Sequence, residues 1–85
     1  IIMSLEYYKK QMVDLRARLQ KEKDAKKKDN EYYARMVKFA STPSGKASYR
    51  KSKIDRAASH DRQIESIKRQ IETCKDNIAR ERKRK

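Results

Sequence analysis

Ser41-Thr42-Pro43-Ser44-Gly45 holds the single proline and the single glycine of the 85 residues and lies almost at the midpoint of the chain. Proline cannot continue a helix arriving from its N-terminal side, and it pushes the preceding residue out of the α region. A helix running through Phe39 and Ala40 must therefore end near Ser41. Pro43 also suits the first position of a new helix, with Thr42 as its N-cap. Nothing on either side breaks a helix, so the stretch predicts two helices of roughly 37 residues, about 55 Å each, folded back on one another. The expected fold class is all-α, an antiparallel two-helix coiled-coil hairpin in one domain. Its segments are helix 4–41, turn 42–45, helix 46–82 and a basic tail 83–85.

Working outward from the turn, the two arms carry matching apolar seams. In the first arm Leu5, Tyr8, Met12, Leu15 and Leu19 recur at alternating steps of three and four, the a/d pattern of a coiled coil. The same register then passes through Glu22, Lys26 and Asp29 before apolar character returns at Tyr33, Met36 and Ala40. In the second arm Ala57, His60, Ile64, Ile67, Ile71, Cys74 and Ile78 follow the same steps, with Ile54 beside the line. A turn centred near Pro43 pairs residues whose numbers add to about 86. This sets Tyr8 against Ile78, Met12 against Cys74, Leu15 against Ile71 and Leu19 against Ile67. The same register sets Ala57 and His60 opposite Asp29 and Lys26, so the middle layers are expected to be thin, polar and open to flexing or water.

Composition narrows the function. With 35% hydrophobic residues, no Trp and one Phe, the chain cannot enclose a deep core, which argues against an enzyme, a cofactor or a small-molecule substrate. Charged residues of both signs make up 44% and are mixed along the length, as on a solvated helix. The balance is 25 Lys and Arg against 12 Asp and Glu, a net charge of +13 that attracts acidic partners. One cysteine cannot form an internal disulfide, and no apolar run reaches the length of a membrane span, so a cytoplasmic protein is expected. Ile1-Ile2-Met3-Ser4 carries no functional weight, since a protein begins more simply at Met3.

No residue pattern points to catalysis or metal binding. Gly45-Lys46 follows a turn and opens a helix, but a phosphate-binding loop needs glycine where Ala40 stands and Ser or Thr where Ala47 stands. His60 has no second His or Cys at ligand spacing and reads as structural. Cys74 lies among seam isoleucines and reads as a small apolar side chain, with a disulfide across a dimer as the rarer alternative. The acids mostly precede a base by four residues, as in Glu6 to Lys10, Asp14 to Arg18, Glu22 to Lys26, Asp24 to Lys28, Glu31 to Arg35, Glu65 to Arg69 and Asp76 to Arg80. Such pairs support helices.

Two surfaces remain for binding. Tyr32, Tyr33, Met36, Phe39, Tyr49 and Ile54 gather near the turn and widen the apolar surface beyond one seam, which suggests association with a second copy or another helical protein. Lys46, Arg50, Lys51 and Lys53 near the turn, with Arg82, Lys83, Arg84 and Lys85 at the far end, are candidates for anion or nucleic-acid contact. Aromatics among basic residues can stack on single-stranded nucleic acid, although packing of the loop end accounts for them more simply. Without base-reading side chains on a rigid frame, such binding would be weak and sequence-independent.

In pattern the chain resembles the short N-terminal coiled-coil hairpin that precedes Toll/interleukin-1-receptor-type and other effector domains in some bacterial proteins. The resemblance is carried by Ser4-Leu5-Glu6-Tyr7-Tyr8-Lys9-Lys10, Asp14-Leu15-Arg16, the Ser/Thr-rich turn, Ser52-Lys53-Ile54 with Arg56 after it, and the Ile64, Ile67, Ile71 seam. It implies a bacterial assembly or recruitment device and supplies no catalytic residue, and these 85 residues contain no effector domain. The expected function is a non-enzymatic interaction and oligomerisation module, with a sequence-independent nucleic-acid binder as the alternative.

Overall fold

The computed structural model describes residues 5–83. Helix α1 spans Leu5–Phe39 and helix α2 spans Pro43–Lys83. They lie antiparallel as a rod of 65 × 17 × 14 Å, an all-α hairpin in which each arm runs nearly the whole length.

The turn is tighter than the composition suggests. Ala40, Ser41 and Thr42 alone separate the helices, and the backbone N–H of Ala40 still bonds the Met36 carbonyl at 2.9 Å. The second helix begins at Pro43, not at 46, because proline needs no N–H partner in the first turn and its φ is already helical. Thr42 caps it: its Oγ1 accepts the Gly45 N–H at 3.0 Å, and its carbonyl accepts the Lys46 N–H at 3.0 Å. Gly45 therefore sits inside the helix. Its role is space, since a Cβ there would lie 3.0 Å from the capping Oγ1 and 3.6 Å from the Ala40 Cβ. At the far end α2 continues through Lys83, one residue past the expected limit, while Arg84, Lys85 and the opening Ser4 lie outside the described residues.

The core is a short apolar block at the open end of the hairpin. Met12, Leu15, Ile67, Ile71 and Cys74 are buried, with Tyr8, Leu19 and Ile78 packed against them. Leu5 and Ile64 are half-buried at the margins. Cys74 is the most enclosed of these at 2% exposure, and its thiol donates to the Tyr8 carbonyl at 3.1 Å. A disulfide from Cys74 to a second copy would require the hairpin to open. Cross-helix pairs along the rod have residue numbers adding to within about four of 86, which places the arms in the register that their seams require.

Truncation separates the core from the middle of the rod. Leu15→Ala or Ile71→Ala should each cost about 2–4 kcal/mol in chemical unfolding, the usual range for a buried aliphatic. Lys26→Ala, which removes a partly exposed ion pair, should cost less than about 1 kcal/mol. Equal losses at the two kinds of position would show that the register is wrong.

Candidate functional site

The polar middle of the rod is closed by a charged clasp instead of being left to water. His60 of α2 projects between two carboxylates of α1, with Nδ1 at 2.6 Å from Glu22 Oε1 and Nε2 at 2.6 Å from Asp29 Oδ2. A neutral imidazole donates from one nitrogen only, so this arrangement selects the doubly protonated ring. The ring is 17% exposed and each of the two acids 26%. Lys26 Nζ meets Asp61 Oδ1 at 2.6 Å on the same level, and Arg56 Nε lies 3.4 Å from Asp29 Oδ2.

These contacts redirect charges that helix spacing assigns elsewhere. Glu22 and Lys26 do not serve each other: one reaches His60 and the other Asp61, both across the interface. Asp24 accepts a hydrogen bond from Gln20 Nε2 at 3.0 Å. Of the i to i+4 pairs read from the sequence, Glu65 and Arg69 approach to 4.0 Å. Single-helix spacing could not reveal the clasp, because its partners are 31 to 38 residues apart. The usable signal was the register, which already set His60 level with the polar gap.

The turn end presents a second feature. Phe39 is 75% exposed, Ile54 68% and Tyr32 47%. Tyr32 and Phe39 are seven residues apart and share a face of α1, while Ile54 is level with Tyr32 on the neighbouring arm. Tyr33, Met36 and Tyr49 are half-buried and belong partly to the space between the arms. A shallow groove there is lined by Met36, Phe39, Ala40 and Tyr49 with residues of the cap. The rings of Tyr32 and Tyr33 meet edge to face with centroids 5.1 Å apart, and Lys38 Nζ stands 5.9 Å from the Phe39 centroid.

The candidate anion-contact residues do not form one surface. Arg50 and Lys51 are exposed near the turn, and Arg82 and Lys83 are exposed at the opposite end of the rod. Lys46 and Lys53 are half-buried on the side of α2 that faces α1. They lie on the inward face because they fall three and four residues from Tyr49, itself an inward position. Arg84 and Lys85 lie outside the described residues.

Among the described residues no group of three or more His, Cys, Asp and Glu is placed to hold a metal ion, and no helix is long and apolar enough to cross a membrane. No family model, curated protein or solved structure matches the chain.

The clasp makes stability depend on pH. Hydrogen bonds to Asp29 and then Glu22 raise the His60 pKa above its usual 6.5, against a smaller opposing effect of burial. Its contribution is therefore complete below 6.5 and is lost as pH rises through the raised value. The hydrogen bond from His60, outweighing burial and aided by the Arg56 charge, lowers the Asp29 pKa below its usual 3.8. That contribution is complete above 3.8 and is lost as pH falls through the lowered value. The clasp is thus at full strength between those two ordinary values. Thermal unfolding followed by circular dichroism should show Tm falling as pH rises above 6.5, with His60→Gln abolishing the fall. Equal slopes in the two proteins would exclude His60 as the titrating group.

Proposed function

We propose that the chain is a non-enzymatic association module, bacterial and cytoplasmic, that completes a helical bundle with a second copy and draws acidic partners to its basic surface. The observation that carries this reading is the exposure of three large apolar side chains near the turn. Two helices can cover only one stripe of each other, and Tyr32, Phe39 and Ile54 lie outside that stripe. Covering a large apolar side chain stabilises by about 1.5–3 kcal/mol, and a two-fold arrangement counts each residue twice. The likeness to hairpins that stand ahead of bacterial effector domains supports the same reading.

The charge of +13 is the basis of a second reading, a sequence-independent nucleic-acid binder. It ranks lower because the basic residues near the turn divide between exposed Arg50 and Lys51 and half-buried Lys46 and Lys53.

Sedimentation equilibrium tests the first reading. The unmodified chain should self-associate at micromolar concentration, and Phe39→Glu combined with Ile54→Glu should weaken association at least tenfold without loss of helicity, since both positions are exposed. Identical association of the two proteins would overturn the assignment of this surface.

A further inference from the structure

The two flanks of the rod differ in chemistry. Phe39 and Tyr49 line one groove between the arms and so share a flank. Arg16, Lys68, Lys75 and the acid Glu72 line another groove, on the opposite flank. From Phe39, alternating steps of four and three back along α1 pass through Arg35, Tyr32, Lys28, Ala25, Lys21 and Arg18. From Tyr49, steps of three and four along α2 pass through Ser52 and Arg56. The same line continues through Ser59, Gln63, Ser66, Gln70 and Thr73, none of them charged. Apart from the half-buried Ala25, Tyr49 and Ser52, all of these side chains are exposed.

No acid falls on either line over a length of about 32 Å. The acids of this part of α1 lie elsewhere: Glu22 and Asp29 on the seam, where His60 holds both, and Asp24 and Glu31 further round the back of the arm. On α2, Asp61 is engaged by Lys26, and Glu72 belongs to the opposite flank. The Phe39 flank therefore combines exposed cations, exposed hydroxyl and amide side chains, and exposed rings. An acidic coiled-coil helix needs a continuous apolar stripe between its charges, and hydroxyls and amides stand where that stripe would lie. A membrane surface needs an apolar face to bury, and here the rings occupy only the turn end. A nucleic acid uses all three kinds of side chain, since phosphates and sugars take hydrogen bonds from Lys, Arg, Ser, Thr and Gln, and unpaired bases stack on aromatic rings.

We propose that this flank holds single-stranded nucleic acid, with its phosphates on Arg18, Lys21, Lys28 and Arg35 and its bases against Tyr32 and Phe39. The inference rests on the second reading and gives it one continuous surface. The full chain would be titrated at about 150 mM salt by fluorescence anisotropy with a labelled thymidine oligonucleotide and with labelled polyglutamate of equal charge, and by cosedimentation with phosphatidylserine vesicles. Two variants remove the same charge from opposite flanks: Lys21→Gln with Lys28→Gln and Arg35→Gln, and Lys23→Gln with Lys27→Gln and Lys68→Gln. All six positions are exposed and glutamine favours helix, so both variants should remain hairpins by circular dichroism. The oligonucleotide should bind more tightly than the ~10⁻⁶ M limit of non-specific contacts, and at least tenfold tighter than polyglutamate. The first variant should weaken it at least tenfold and the second less than threefold. Tyr32→Ala should weaken it at least fivefold without changing the dependence on salt, because stacking releases no counterions. Equal losses in the two charge variants overturn the proposal and leave the second reading as binding by net charge alone. Binding no tighter than non-specific contacts overturns both. Equal binding of polyglutamate, or vesicle binding that the first variant removes while oligonucleotide binding persists, would assign the flank to another acidic partner and overturn the proposal. Phe39 stays in place in every variant, so self-association measured on the same proteins is judged separately.

Discussion

The structure depends on the packing of Met12 and Leu15 against Ile67, Ile71 and Cys74 at the open end of the rod. A two-residue-wide stripe is all that two helices can hide from water, and here the fully buried part of it is confined to that block. The cap at Thr42 and the proline after it bring the arms together but cannot choose their register. The apolar block does so, because sliding one arm by a single residue would rotate the seam away from its partner. With the register fixed at both ends, the intervening layers must be filled by whatever side chains stand there. His60 between Glu22 and Asp29 fills them with charge, at the cost of making that layer sensitive to protonation.

Much of this was legible in the residues alone. One proline and one glycine in a long charged chain leave a single place to reverse direction, and apolar steps of three and four on both sides fix which faces meet. The Thr42 cap followed from the preference for a hydroxyl before an N-terminal proline. Three features were not legible, each for a physical reason. Gly45 falls inside the second helix and not in the turn, since its φ is not positive and its missing Cβ leaves room beside the capping hydroxyl. Glu22, Lys26 and Asp29 fall on the seam, but which of them meets His60 and which meets Asp61 depends on side-chain reach across the facing arm. Lys46 and Lys53 read as solvent-exposed anion ligands, yet they flank an inward tyrosine and so point partly at α1.

On the association reading, the rod works through what it brings together. Its two ends differ in chemistry: exposed aromatic and aliphatic side chains near the turn, and exposed Lys and Arg flanking the apolar core at the open end. Apolar surface suits a second copy, for which the net charge is an obstacle reduced by salt. The clasp lies between the two ends and contributes to neither surface.

The central claim, that the hairpin associates through apolar surface against its own charge, is tested most directly by static light scattering at low and high salt, with helicity followed in parallel. Screening of repulsion between +13 chains should let the particle mass rise from 10.2 kDa toward twice that value as salt is raised from about 50 to 500 mM, while ellipticity stays constant. A monomer mass that persists at both salts up to hundreds of micromolar, with full helicity, would contradict it.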